Sequence, residues 1–475
     1  MATLSCVNYP EKQLVQYQNK SITWVCGLDN DPAGRRNIRK WIKRGRVDGL
    51  DVTAAQIPQQ SSQKNDWNDC HTNHRLSQKH QEEYLYHGSL LIAKSALDKA
   101  FLIWNKKNLN GFFFDFNHRM YWFELNIDKF NKAIENIERE DNGETEEQKR
   151  RKAAEQSGAL SEITNCQPTF LYFQSNKLTD ESWYYCRVEF PHNGKAIKNI
   201  FTGGQVAAAA EFKKRLLSIA PGGLFTGTSK QLDWLVKHHI HNIKVVDTVD
   251  FIGYSKEHKA YVFNDLAVSD GKAYAINDED FFEIGKLAIK SLNQGFQLQI
   301  GDSSDYREDW PQLVYQGFGA KGLVAMSFWL GSLFSEQIRT LHKSFPFLEI
   351  VGEPGGGKTT LVEFMWELLG KADEEGFDPS KATAAAVSRK FSQVSNLPVV
   401  LIEADREGDT AKSRKFDWDE LKTAYNGRAS RARGMKNSGN ETYEPPFRGA
   451  IVITKNAEVS ASEAILQRIV HLYFR

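Results

Sequence analysis

The stretch that decides the fold is Phe347 to Leu369, which contains Gly352-Glu-Pro-Gly-Gly-Gly-Lys358-Thr359. The apolar run Phe347-Leu-Glu-Ile-Val351 predicts a β-strand, and Thr359 to Leu369 predicts a helix. A glycine-rich loop between them fits the pattern GxxxxGK[ST] in the context that this pattern requires. Glycines let backbone N–H groups turn towards phosphate oxygens, and a helix N-terminus adds partial positive charge. The stretch therefore predicts a P-loop in an α/β domain.

Each position of this loop has an expected contact with ATP and Mg²⁺. Lys358 should reach the β- and γ-phosphates, and the Thr359 hydroxyl should ligate Mg²⁺. The remaining nucleotide-binding positions are Gly352, Gly355, Gly356, Gly357 and Thr360. The alternative is a glycine-rich turn that binds no nucleotide.

Two later strands lead into polar residues that we expect beside the P-loop. Residues 398–402 are apolar and run into Glu403, 45 positions after Lys358, with Asp405 close behind. Because ligands bind at the carboxyl ends of strands in open α/β sheets, Glu403 is the candidate acid on the Mg²⁺ side. Asp405 is the candidate for polarising the attacking water. The strand from 449 to 454 leads to Asn456, the candidate sensor of the γ-phosphate.

Cationic residues near the C-terminus suggest two further functions. Arg468 could reach the ATP of a neighbouring subunit and stabilise transition-state charge, or it could be a solvent-facing helix residue. Residues 421–447 predict a hairpin with a glycine- and asparagine-rich tip. This hairpin would either contact a phosphate backbone or be a solvated part of the surface. The candidate DNA-binding side chains of this hairpin are Arg428, Arg431, Arg433 and Lys436.

The order of these features resembles the superfamily 3 helicases, which are hexameric, AAA+-like ATPases of phages, plasmids and small viruses. The resemblance covers about residues 345–475 and implies that residues 428–441 form the DNA-contacting hairpin. The resemblance also implies that five residues belong to the nucleotide site, namely Lys358, Thr359, Glu403, Asn456 and Arg468. One departure is that Ala404 separates two acids that are usually adjacent in the family.

A second motif lies near the N-terminus, where Leu28-Asp29-Asn30-Asp31-Pro-Ala-Gly34 follows a predicted strand and precedes a basic helix. Two carboxylates at positions i and i+2 can share a hard divalent cation. With the acidic cluster at 64–69, the motif resembles the TOPRIM domain of bacterial-type primases over about residues 1–75. That resemblance implies that Asp29 and Asp31 hold Mg²⁺. Only 28 residues precede Asp29, too few for the strand that carries the family's catalytic glutamate, so we expect a partial domain that does not synthesise primers.

Length and composition limit the remaining possibilities. The 475 residues are 41% hydrophobic and 25% charged, which is typical of a soluble protein with several domains. Since 61 Lys and Arg nearly balance 60 Asp and Glu, any nucleic-acid surface must be a local patch. No apolar run reaches the roughly 18–20 residues of a membrane span, and five sparse cysteines indicate no disulfide framework, so we expect a cytoplasmic protein. We divide the chain into a partial TOPRIM-like α/β domain, a mixed α+β middle domain and a P-loop AAA+-like ATPase domain, at 1–90, 91–340 and 341–475.

The whole layout resembles a primase–helicase of a mobile genetic element. The leading hypothesis is an ATP-driven translocase that acts on single-stranded or forked DNA as a homo-oligomeric ring, expected to be a hexamer. One alternative is a nucleotide-switched DNA-binding or anti-phage defence ATPase that does not unwind DNA. Another is a TOPRIM nuclease with an ATPase regulator.

Overall fold

The chain folds into two compact units, Met1–Phe170 with Cys186–His241 and Leu171–Tyr185 with Asn242–Arg475. Both domain boundaries suggested by the sequence, near residues 90 and 340, therefore fall inside a unit. The computed structural model describes residues 8–474 except for 17–20, 60–64, 141, 142, 178, 193, 294, 296, 297, 300, 302, 303, 305, 373, 403–415, 430–432 and 435–441.

The first unit begins with a β-α-β arrangement. Strands β1 (Thr23–Cys26) and β2 (Asp51–Ala54) pair in parallel, and helix α2 (Pro32–Val47) connects them. Ile38 and Ile42 recur at helical spacing, so one face of α2 is buried against the strands while its basic residues face outwards. The short helix α1 (Glu11–Val15) precedes β1.

A three-stranded antiparallel sheet with flanking helices follows in the same unit. Its strands are β3 (Gly111–Phe116), β4 (Arg119–Glu124) and β5 (Leu160–Thr164). In the charge-dense stretch 143–156, residues 146–156 are helical, and Ala153 and Ala154 are fully buried. The helices here are α3 (Trp67–Thr72), α4 (Gln78–Leu91), α5 (Ala96–Lys107), α6 (Ile127–Arg139) and α7 (Glu146–Gln156). Further along the chain come β6 (Gln167–Asn176), β7 (Glu181–Glu189), β8 (Ile197–Phe201), α8 (Gly203–Ala207), α9 (Ala209–Ile219) and α10 (Ser229–Ile240). The parts of β6 and β7 that lie between residues 171 and 185 belong to the second unit.

The second unit is built on an eight-stranded mixed sheet that carries the predicted P-loop. Its strand order is β13-β12-β11-β10-β17-β20-β16-β21, and the last five of these strands run parallel. Their bounds are β10 (Ile252–Ser255), β11 (Ala260–Val262), β12 (Leu266–Ser269), β13 (Lys272–Ala275), β16 (Phe347–Gly352), β17 (Val394–Ile402), β20 (Arg448–Lys455) and β21 (Ile469–Phe474). The sheet thus takes four strands from before residue 341, which is why the predicted boundary there lies inside it.

Both faces of the parallel strands are covered, as such sheets require. One face packs Leu348 and Ile350 against Met365 and Trp366 of the helix after the P-loop. The other face packs Phe347 with further apolar residues of β17 and β20. The α/β class predicted from the sequence is therefore confirmed.

The other elements of this unit surround the sheet or form smaller ones. They are β9 (Lys244–Val249), β14 (Phe282–Ile284), β15 (Leu287–Ser291), α11 (Trp310–Ser332), α12 (Ser335–His342), α13 (Lys358–Leu368), α14 (Ala384–Ser392), β18 (Arg433–Gly434), β19 (Thr442–Tyr443) and α15 (Glu463–Leu466). Short 3₁₀ turns occupy Pro379–Lys381, Trp418–Lys422 and Ala424–Asn426. In the described part of the chain, no helix combines the length and apolar character that crossing a membrane demands.

Candidate nucleotide-binding site

The glycine-rich loop that the sequence predicts to be a P-loop connects β16 and α13. Gly355 and Gly357 have φ values of 85° and 78°, a left-handed backbone that favours glycine. Glycine is required at position 352 for a steric reason, because a Cβ there would lie 2.0 Å from the Phe474 carbonyl oxygen. Glycine at these positions therefore permits both the turn and the close approach of β21.

Helix α13 begins at Lys358 with Gly357 as its N-cap, and no side chain caps it. The first N–H groups of a helix have no partner within the helix, so the backbone at Lys358, Thr359 and Thr360 can donate to an anion. Thr359 and Thr360 are exposed, and Lys358 is half-buried. Lys358 Nζ donates to the carbonyls of Gly352 (2.7 Å) and Glu353 (2.8 Å), which holds the ammonium over the loop. Phosphate oxygens could replace these carbonyls as its partners.

Strand register brings the C-terminal ends of β17 and β20 to the same end of the sheet as the C-terminal end of β16. In the β16–β20 pair Val351 is opposite Lys455, so Asn456 follows at the level of Gly352. In the β17–β20 pair Ile402 is opposite Thr454. Glu403 follows Ile402 directly, but Glu403 and Asp405 lie outside the described residues. The half-buried Asn456 thus has the predicted position beside the loop, while the two acids keep their roles as predictions.

A buried carboxylate below the loop was not singled out from the sequence. Glu349, in the middle of β16, is fully buried, and its Oε1 accepts a hydrogen bond from the Val459 N–H at 2.6 Å. Its Oε2 lies 2.5 Å from Nδ1 of His471 on β21. Glu349 therefore joins the P-loop strand, the loop after Asn456 and β21. The sequence did contain a signal for this role, which is a charged residue inside an otherwise apolar strand. A buried charge requires partners, so such a residue indicates polar contacts in the core.

Arg468 lies at the opposite end of the parallel strands from the predicted P-loop. It directly precedes β21, whose first residue pairs with Phe347, whereas Gly352 pairs with Phe474. Five to six residue steps put it roughly 17–20 Å from the P-loop end of β16. Its guanidinium donates to the Lys422 carbonyl at 2.8 Å and lies 4.8 Å above the Tyr425 ring. Within one chain Arg468 is therefore remote from the loop, and its role towards a neighbouring subunit stays a prediction.

The predicted basic hairpin is present, and β18 and β19 pair in antiparallel register. Its root is closed where the Phe447 N–H donates to the Gly427 carbonyl at 3.2 Å, just before β20 begins. That root lies at the same edge as Arg468, opposite the P-loop. Arg428 is exposed at the root. Arg431 and Lys436 lie outside the described residues, and the side chain of Arg433 is also not described, so their contacts with DNA remain predictions.

In the first unit, the acidic motif occupies the turn between β1 and α2. Asp29 is exposed, whereas the half-buried Asp31 is the N-cap of α2 and accepts a hydrogen bond from the Gly34 N–H at 2.5 Å. Gly34 is required here because a Cβ would lie 2.0 Å from the Asp29 carbonyl oxygen. The later acidic cluster has a capping role too, since Asp66 and Asp69 form a capping box at α3.

Two carboxylates are the metal ligands that this motif offers. Among the residues that the structure describes, no three His, Cys, Asp or Glu side chains gather closely enough to hold an ion. Magnesium is often held by one or two carboxylates together with phosphates. Asp29 and Asp31 fit that mode, and their role as Mg²⁺ ligands remains a prediction.

Comparison with known proteins supports the N-terminal part of this description. A family model described as Toprim-like matches residues 1–71, which confirms the TOPRIM resemblance there. No curated protein matches the chain.

Three solved structures are among those similar to the chain. An active SCCmec type IV Cch helicase is 12% identical, with 66% of this chain and 56% of that chain covered and a TM-score of 0.43. The apo C-terminal region of NrS-1 is 14% identical, with 64% and 58% covered and a TM-score of 0.28. A JCV helicase is 19% identical, with 35% and 51% covered and a TM-score of 0.19. The chain thus spans between half and three-fifths of the length of these proteins.

Proposed function

We propose that the chain is an ATP-dependent DNA helicase or translocase of a mobile-element replication system, with a TOPRIM-like N-terminal part that does not synthesise primers. The observation that carries the proposal is the P-loop at the sheet edge where β17 and β20 also end. Gly352, Ile402 and Lys455 end the three strands at that edge. This is where an α/β sheet binds its ligand.

Each residue at this edge has a specific role in the proposed hydrolysis of ATP. The uncapped N–H groups of α13 and the Lys358 ammonium bind and neutralise the β- and γ-phosphates. Thr359 and Glu403 would hold Mg²⁺, which bridges phosphate oxygens and offsets the charge that develops there. Asp405 polarises the attacking water, and Asn456 orients it against the γ-phosphate.

DNA is proposed to bind at the opposite edge, through the hairpin of β18 and β19. The root of the hairpin adjoins the first residue of β20, and the nucleotide edge follows its last residue. A strand of eight residues thus connects the two ends, so a change at Asn456 could be transmitted along β20 to the hairpin. Arginines and lysines there would grip phosphates without reading bases.

A homo-oligomeric ring, with a hexamer as the specific proposal, would bring Arg468 of one subunit to the ATP of the next. Exposed apolar side chains on α11, on α12 and at the junction between them support self-association. They include Val324, Leu330, Phe334 and Leu341, the last with 74% of its surface exposed. Exposed apolar patches of this kind often mark contacts between proteins.

Unwinding of a forked duplex by the full chain tests the proposal. We expect strand separation with ATP and Mg²⁺ but none with a non-hydrolysable analogue, and rings visible by electron microscopy with that analogue and single-stranded DNA. ATP binding without unwinding would favour a nucleotide-switched or defence ATPase. Divalent-dependent cutting of the fork that is lost in Asp29→Ala would favour a TOPRIM nuclease with an ATPase regulator.

A further inference from the structure

A large open cleft in the first unit combines surfaces that are distant in the sequence. Its volume is about 1580 Å³. Helix α2, the turn 90–94, the turn between β3 and β4 and the end of β7 all line it. All of these segments belong to the same compact unit.

The walls of the cleft are strongly basic. Among the described residues that line it, eight are Lys or Arg and two are carboxylates. Both carboxylates are already paired, Asp115 with Lys99 at 3.4 Å and Glu189 with Arg187 at 3.2 Å. The chain as a whole is nearly neutral, so this excess is a local patch of the kind that binds polyanions.

Helix α2 contributes a continuous stripe of cations to one wall. The stripe extends over eleven residue steps, or about 16 Å. Its members are Arg35, Arg36, Arg39, Lys43 and Arg46. In the described part of the chain, Arg36, Lys43 and Arg46 are exposed and make no ion pair with a carboxylate.

Crowding of like charges makes this stripe unfavourable in the free protein. Arg35, Arg39 and Lys43 follow at intervals of four, and like charges at that spacing destabilise a helix. Partial burial, followed by the charge of Arg35, holds the pKa of Arg39 below its ordinary value. An anionic ligand along the stripe would relieve this repulsion.

Ring-bearing side chains lie among the cations. His87, Phe116 and His118 line the cleft, together with the apolar Leu91 and Ile92. Grooves that bind single strands combine cations for the backbone with rings on which unpaired bases stack. A base-paired duplex would not offer its bases to such rings.

We propose that this cleft binds single-stranded nucleic acid, as a second site separate from the hairpin of the ATPase unit. The cations of α2 contact phosphates, and the rings of His87, Phe116 and His118 contact bases. The chain would then hold a strand at its N-terminal unit independently of ATP. This inference does not depend on the ATPase assignment.

The test is binding of a fluorescein-labelled oligothymidine to the full chain across a salt series. The variant Arg36→Ala/Lys43→Ala/Arg46→Ala should bind at least about tenfold more weakly near 0.1 M salt, with a salt slope lower by about 2. The matched control is Lys40→Ala/Lys79→Ala/Lys132→Ala, three exposed lysines of the same unit outside the cleft, and should bind like wild type. Arg36→Lys/Lys43→Arg/Arg46→Lys keeps the charges and should retain binding.

Two further arms separate the cleft from the hairpin and from duplex binding. In a background with Arg431→Ala/Arg433→Ala/Lys436→Ala, the remaining oligothymidine affinity should still fall on cleft substitution. ATP hydrolysis without DNA should not change in the cleft variant, so failure here is distinguishable from failure of the proposed function. Unchanged affinity and slope in the cleft variant would overturn the inference. An equal loss for a duplex of the same length would show a general polyanion surface and overturn the assignment to single strands.

Discussion

Glu349 and His471 face each other across β16 and β21 at 2.5 Å, directly below the P-loop. The other oxygen of the same carboxylate binds the Val459 N–H, three residues after the sensor candidate Asn456. One buried side chain thus ties together the strand that carries the P-loop, the loop that follows Asn456 and the last strand of the sheet.

Glu349→Ala should lower the free energy of unfolding by about 3 kcal/mol, because it leaves a buried N–H without a partner. Glu349→Gln retains an acceptor for Val459 and should cost only about 1 kcal/mol. Urea unfolding followed by tryptophan fluorescence measures both. A decrease of less than about 0.5 kcal/mol in the alanine variant would mean that the contacts of Glu349 with Val459 and His471 contribute little to stability.

Lys358→Ala should reduce ATP turnover roughly 100-fold or more, since it removes the cation that neutralises the β- and γ-phosphates. Glu403→Gln should have a similar effect. Phosphate release by the purified chain measures it. The control is Lys272→Ala, an exposed lysine of β13. Turnover at the wild-type level in a folded Lys358→Ala variant would rule out ATP hydrolysis at this loop.

Asp29→Asn with Asp31→Asn should leave ATP hydrolysis and unwinding nearly unchanged, since we propose that the TOPRIM-like part does not catalyse primer synthesis. Stability should also persist, because asparagine caps a helix as well as aspartate does. Asp31→Ala, by contrast, removes the acceptor for the Gly34 N–H and should cost about 1 kcal/mol. Primer synthesis by the wild-type chain that disappears in the double asparagine variant would contradict this assignment.

Replacing Arg431, Arg433 and Lys436 with alanine should weaken single-strand binding and lower its salt slope by about 2, since fewer counterions are released. Preference among DNA sequences should stay the same, because backbone contacts do not read base edges. ATP hydrolysis without DNA should persist, while its stimulation by DNA should fall. Lys256, Lys272 and Lys286, three exposed lysines of the same unit, provide the matched alanine control. An unchanged slope would identify the segment as a solvated hairpin.

Acid should destabilise the first unit partly through His239 of α10. Burial, and then the charge of His238, lowers the pKa of His239 to about 4, against about 6.5 for an unfolded histidine. Its contribution to stability is therefore complete above pH 6.5 and is lost as the pH falls towards 4. His239→Gln should flatten the dependence of the urea midpoint on pH in that window, whereas the exposed His241→Gln should not. Parallel curves for wild type and His239→Gln would refute this.

Local sequence patterns determined much of the second unit. The glycine-rich loop, strands at 347–351 and 397–402, the helix after the loop and the hairpin could all be predicted, because glycine spacing and apolar runs act over a few residues. The Asp29–Asp31 turn could be recognised for the same reason. That Asp31 also caps helix α2 could be inferred from its position three residues before Gly34, the spacing at which an N-cap side chain accepts a backbone N–H.

Only the tertiary structure decided which of these parts meet. Register in the β16–β20 pair puts Asn456 beside the P-loop, and register in the β16–β21 pair puts Arg468 at the far edge. The strands at 252–275 join the P-loop sheet, and the basic face of α2 meets the turns near residues 92 and 117 in one cleft. These relationships depend on pairing between segments far apart in the chain. A strand pattern is satisfied equally well by several neighbours, so the choice among them is made by the packing of the whole sheet.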